Sequence, residues 1–168
     1  MALNPAAISY TKHGIQIPLI KGLLIFSLAI WCAGFLLPAY LPEFAGNNII
    51  YQFLKLLYSR VCHQSQEALF YINGNHILVC ARCSGIYLGA LLVLITLSFL
   101  KIKFILSIKP LLFFSIPLIF DAFAVRLGIY TYSKFIAFLT GMLFGSIIMI
   151  YIFETLFNSL RKTGIAHE

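Results

Sequence analysis

Cys83-Ser-Gly-Ile-Tyr-Leu-Gly-Ala-Leu-Leu-Val-Leu-Ile-Thr-Leu-Ser-Phe-Leu100 carries no charged residue and stops at Lys101 and Lys103. A crossing of the hydrocarbon core takes roughly 20 mostly apolar residues in a helix, so this stretch reads as a membrane span. Three more stretches read the same way. One runs from about Leu19 to Leu41, starting beside Lys21 and ending at the Pro38 and Pro42 breaks. Another opens after Lys109-Pro110 and continues to about Gly128. Proline suits a first helical turn, where its missing N–H costs nothing. The last covers about Phe135 to Phe157 and is closed by Arg161-Lys162. The first stretch is too long for the apolar part of a secretory leader, and no small-residue cleavage site follows it, so it is expected to remain as a span.

Composition agrees with this reading. Of 168 residues, 61% are hydrophobic and 10% charged, whereas a soluble domain is nearer to half apolar and a quarter charged. An ordinary soluble domain is excluded, and so is a disordered chain, which would lack this density of Leu, Ile and Phe. The net charge of +7 rests on twelve bases against five acids. The bases are scattered between apolar runs, as membrane-flank anchors are, and form no nucleic-acid surface.

The expected fold is therefore an all-α integral membrane protein, a four-helix transmembrane bundle forming one membrane domain over residues 1–168. Its long connection is the Cys-rich extramembrane loop of about residues 42–82 between helices 1 and 2. Within that loop, Ile49, Ile50, Phe53, Leu54 and Leu57 share a helical face, which predicts an amphipathic helix in the membrane interface. Asn73-Gly74 between Leu69–Ile72 and His76–Val79 predicts a small hairpin. With both termini cytoplasmic, seven Lys and Arg residues lie inside and five outside. That bias favours the loop facing outward, and helical spans argue for a multi-pass protein of the inner (plasma) membrane.

Two glycine pairs stand out. Ser84-Gly85-Ile-Tyr-Leu-Gly89 opens the second span, and Thr140-Gly141-Met-Leu-Phe-Gly145 lies near the start of the fourth. Glycines four apart let membrane helices approach closely, and the two spans run in the same direction, which puts the motifs at similar depth. Tight packing of a small bundle is expected, with a duplicated ligand-binding half as the alternative.

Of the four cysteines, Cys32 sits mid-span, where cysteine behaves as a small hydrophobe. The other three crowd into the loop with His63 in the pattern Cys-His-x16-Cys-x2-Cys. A Cys-x-x-Cys pair can grip one ion from a single turn, and a tetrahedral zinc site then takes two further ligands from elsewhere. The expected metal ligands are Cys62, His63, Cys80 and Cys83, with His76 as a substitute for one of the adjacent pair. The competing reading is redox. A Cys-x-x-Cys at a helix start favours the thiolate, and Arg82 between the two cysteines adds to that.

Asp121 lies within the third span, where a carboxylate is costly and is by default a functional hypothesis. At a rise of 1.5 Å per residue it is expected about 10 Å below the outer surface. The structural alternative is an ion pair with Arg126, at a poor i,i+5 spacing, or a capping bond to Ser84, Tyr87 or Thr140. Asp121 and Glu67 are the candidate catalytic groups, and Gln64 either serves the site or solvates the loop. No phosphate-binding loop, dinucleotide fingerprint or nucleophile elbow is present.

Cys62-His63-Gln64 followed by Cys80-Ala-Arg-Cys83-Ser-Gly-Ile-Tyr-Leu-Gly89 resembles an uncharacterised family of small bacterial and archaeal predicted membrane proteins. Its signature has the form CHQ … CARCtGiYlG. Asp121 and Thr140-Gly141 look like its later landmarks, so the resemblance covers about residues 60 to 145. Members of that family often carry an arginine shortly after CHQ and another before the later Thr-Gly, where this chain has Ala68 and Ala137. An anion- or carboxylate-binding role resting on that arginine pair would not carry over. The resemblance supports the site and implies no reaction.

Three functions remain at this level. The first is a divalent-metal site, zinc by its ligand types, that clamps the loop to helix 2 in a scaffold or transporter component. In the second, an open coordination position facing Asp121 or Glu67 makes the protein a metal-dependent membrane hydrolase of a lipid-linked or peptide substrate. The third is a thiol-disulfide oxidoreductase working through Cys80 and Cys83 with a quinone. Membrane lipids are the expected surroundings, and no nucleic acid is expected as a partner.

Overall fold

The apolar runs fold as helices because a spanning segment must satisfy every backbone N–H and C=O within itself. The computed structural model describes residues 5–41, 48–72, 74–99 and 108–165. In chain order these form α1 (Pro5–Tyr40), α2 (Ile49–Ser59), β1 (Leu69–Ile72), β2 (Asn75–Cys80), α3 (Ala81–Phe99), α4 (Ile108–Arg126) and α5 (Lys134–Ile165). Among the described residues, four helical stretches are long and apolar enough to cross a membrane: Leu19–Tyr40, Ala81–Phe99, Ile108–Arg126 and Lys134–Leu156. The protein is thus an all-α, multi-pass membrane protein. Large apolar side chains stay exposed on α1 (Leu23, Phe26, Ile30) and α4 (Phe113, Ile116, Phe120, Phe123), where lipid tails cover them.

The glycine pairs join α3 to α5. A Cβ added at Gly85 or Gly89 would run into the backbone of Phe138 or Met142. One added at Gly141 or Gly145 would strike the Arg82 or Ile86 carbonyl. Each helix therefore buries its glycines against the other's main chain, and the two run parallel with rising numbers in step. Ser146 continues the ladder by donating from Oγ to the Gly89 carbonyl at 3.3 Å. α4 packs on α5.

α2 begins where the Asn48 side chain accepts from the Ile50 amide at 3.1 Å, which satisfies one of the free donors of the first turn. Ile49, Ile50, Phe53 and Leu57 are exposed on it, and Leu56 is exposed with them. Tyr58 is buried and donates its hydroxyl to the Trp31 carbonyl of α1 at 2.7 Å. Gly34 leaves room for that hydroxyl, since a Cβ there would collide with it.

The hairpin pairs Leu69 with Cys80, Tyr71 with His76 and Ile72 with Asn75, with an irregularity between Leu69 and Tyr71. Gly74 at the turn has φ +83°, a left-handed value that glycine adopts without strain. Asn73 of the expected turn lies outside the described residues. Strand β2 is longer than expected and passes into α3 with no linker, because Cys80 closes the pairing with Leu69 and Ala81 already begins the helix. Ile77, Leu78 and Val79 of β2 are buried with Cys32, Phe35 and Ala39 of α1, Tyr58 of α2, and Cys62. This core holds the hairpin on the end of α1 and sets the position of the site.

Candidate metal centre

Each of the three loop cysteines is delivered by a different piece of structure. Cys62 ends the turn that closes α2, its amide donating to the Tyr58 carbonyl at 3.0 Å. Cys80 is the last residue of β2, and Cys83 lies in the first turn of α3. Their Sγ atoms all lie within 4.8 Å of one another. The Cys80 amide donates to Cys62 Sγ at 3.1 Å. Gln64, at φ +51°, folds its side chain back and donates from Nε2 to the Leu78 carbonyl at 2.7 Å. That bond pins the Cys62 segment alongside β2, so Gln64 is a positioning residue for the trio.

The electrostatics follow from this convergence. Hydrogen bonds from the Cys80 and Cys83 thiols, then the amides of Cys80 and Gln64, hold the Cys62 thiol far below its usual range against the opposing effect of burial. The Cys80 thiol is raised, chiefly because it is bonded to the Cys62 sulfur. The opposite directions at Cys62 and Cys80 follow from the sulfurs lying within hydrogen-bonding reach of one another.

His63, Glu67, His76 and Cys32 stand outside this group of three. His63 is exposed although Cys62 beside it is buried. Glu67 is exposed on a 3-10 turn, Gln66–Ala68. Cys32 is buried in α1. The fit to a metal can be tested on the sulfurs alone. Zinc–sulfur bonds of about 2.3 Å around a tetrahedral ion set the sulfurs about 3.8 Å apart. Three cysteine sulfurs within 4.8 Å of one another need only a small contraction to reach that spacing. The donor set suits a soft or borderline ion such as zinc and leaves one tetrahedral position to another ligand.

Asp121 is bonded to Arg82 of α3 and to Tyr130 in the turn between α4 and α5, neither of them among its expected partners. It is 3% exposed. Its Oδ2 accepts from the Arg82 guanidinium at 2.5 Å, and its Oδ1 accepts from the Tyr130 hydroxyl. Neither Arg126 nor Ser84, Tyr87 or Thr140 fills that place. The reason is antiparallel packing, since α3 begins where α4 ends and the Arg82 side chain crosses to a carboxylate about 8 Å inside the end of α4. Glu154 also falls within a span, but in the last turn of Lys134–Leu156. The Arg82–Asp121 pair borders a cavity of about 670 Å³ lined by Arg82, Ala122, Val125, Arg126 and Tyr132. The Arg82 guanidinium lies 6.0 Å from the centre of the Tyr132 ring. Burial pushes the Tyr132 phenol up to about 12, so it stays protonated.

The family described as predicted membrane protein (DUF2085) matches residues 62–151. The match begins at Cys62 and takes in Cys80, Cys83, Asp121 and both glycine pairs. An uncharacterized protein of Methanocaldococcus jannaschii is 32% identical over 146 residues, covering 83% of this chain and 90% of that protein. An uncharacterized protein of Methanothermobacter thermautotrophicus is 31% identical over 83 residues, 49% of this chain and 75% of its own length. No solved structure matches the chain.

Proposed function

Because the chain belongs to the DUF2085 family of predicted membrane proteins, whose matched relatives are uncharacterized, we propose a function from its site: Cys62, Cys80 and Cys83 hold one zinc ion. The chain forms a single membrane domain in the inner (plasma) membrane, with cytoplasmic termini and the site on the outer side. The observation that carries this reading is the convergence of three sulfurs from three separate elements to within 4.8 Å.

The zinc ion, when bound, supplies three metal–sulfur bonds and one coordination position for a further ligand. The residues do the rest. Cys62 brings the end of α2, Cys80 the hairpin and Cys83 the start of α3, so the site clamps the extramembrane loop onto the membrane end of the α3–α5 pair. Gln64 and the Cys80 amide orient Cys62. Asp121 positions Arg82 and has both oxygens engaged, so it is no free base beside the sulfurs. Glu67 is exposed outside the cluster. We therefore place the clamp ahead of a hydrolase of a lipid-linked or peptide substrate.

A redox reading keeps one observation in its favour: a Cys-x-x-Cys at a helix start, with a third thiol in reach, is also a thiol-exchange geometry. Elemental analysis paired with a free-thiol count separates the two. The clamp expects about one zinc per chain, lost in Cys62→Ser, Cys80→Ser and Cys83→Ser and kept in His63→Ala. Two thiols missing from the count in a metal-free protein would put the redox reading first.

A further inference from the structure

We propose that the cavity between the start of α3 and the end of α4 binds a phosphate-bearing group, presented by a lipid headgroup or by a soluble phosphate. The cavity is distinct from the sulfur cluster and the inference does not depend on a metal. The cavity is an open recess of about 670 Å³, so its lining and not its size argues for a ligand.

Its lining decides the sign of the ligand. Two guanidiniums, Arg82 and Arg126, face it together with the Tyr132 phenol, and no acid is among the lining residues. Asp121 neutralises Arg82 from behind. Arg126 has no ion pair among the described residues, so the cavity keeps a net positive charge. Arg82 Nη2 is bonded to Asp121, which leaves Arg126 as the guanidinium free to meet an anionic oxygen in a charge-assisted bond. Planar guanidinium forks match phosphate in geometry as well as in charge.

Position decides the rest. Arg82 is in the first turn of one candidate span and Arg126 ends another. The cavity therefore opens at headgroup depth. Ala122 and Val125 form its apolar wall. Phe123 and Leu127 are exposed beside it, so acyl chains would lie along α4 while the phosphate meets the arginines.

The test uses the full-length protein in detergent with three probes: dioctanoyl phosphatidic acid, dioctanoylglycerol and inorganic phosphate. Binding is read by native mass spectrometry and by the rise in thermal midpoint. Phosphatidic acid is expected to bind, dioctanoylglycerol at least tenfold more weakly, and Arg126→Gln to weaken phosphatidic acid about tenfold. Binding of inorganic phosphate as tight as that of phosphatidic acid, and equally weakened in Arg126→Gln, supports the site with a soluble phosphate as its source. Three results would overturn the proposal: neither phosphate probe binds, dioctanoylglycerol binds as well as phosphatidic acid, or Arg126→Gln keeps full affinity. If Arg126→Gln does not fold, Val125→Trp decides. Filling the cavity with indole is expected to abolish binding of both phosphate probes, and unchanged affinity would sink the idea.

Discussion

Arg82 stands between two cysteines in sequence, yet its guanidinium reaches away from them to Asp121 on α4. With the carboxylate nearly buried and Arg82 26% exposed, the pair is costly to half-remove. A missing partner leaves an uncompensated charge in a low-dielectric setting. Asp121→Asn is expected to destabilise the protein by about 3 kcal/mol, read by thermal unfolding in detergent, and the double variant Arg82→Met, Asp121→Leu to recover much of that loss. Gln64 acts on the sulfurs at one remove. Gln64→Ala removes the bond to Leu78 that holds Cys62 beside β2. It should lower zinc affinity by about tenfold or more, in a competition titration with a chelator, while leaving the thermal midpoint of the metal-free protein nearly unchanged. At this scale the convergence of the three loop cysteines was legible from their type and spacing. The partner of Asp121 was not. This contact depends on which helix ends meet and at what depth, which spacing in the sequence does not reveal. His63 is exposed where Cys62 beside it is buried, a difference that adjacency in sequence does not reveal.

The α3–α5 ladder is where helix packing was most readable. Two small-residue pairs at the same register on parallel spans encode a close backbone approach directly. Gly145→Ala places a Cβ against the Ile86 carbonyl, with no flexible side chain to give way. It is expected to cost about 1–3 kcal/mol. Gly22→Ala, with nothing near its added Cβ, should be neutral or slightly stabilising in the same unfolding experiment. The hairpin too was signalled, by Asn73-Gly74. Its true end was not, because Cys80 serves both as the last strand residue and as the step into α3, and local pattern gives no warning of a strand and helix joined without a linker. Tyr58 is a further case. Its hydroxyl bond to the Trp31 carbonyl links α2 to α1 across 27 residues of sequence. Tyr58→Phe should cost about 1 kcal/mol.

Across the whole molecule, four spans form a bundle and one compact extramembrane unit sits on its end, held by an apolar core on one side and, on our account, by three sulfurs on the other. The spans were plain from hydropathy because the bilayer imposes one length on every helix that crosses it. What the sulfurs hold cannot follow from hydropathy and has to be measured. X-ray absorption at the zinc edge of the purified protein tests the central claim most directly. The account expects three sulfur scatterers at about 2.3 Å and one lighter oxygen or nitrogen neighbour. A zinc shell without three sulfurs, or a metal-free protein whose Cys80 and Cys83 are joined as a disulfide, would contradict it.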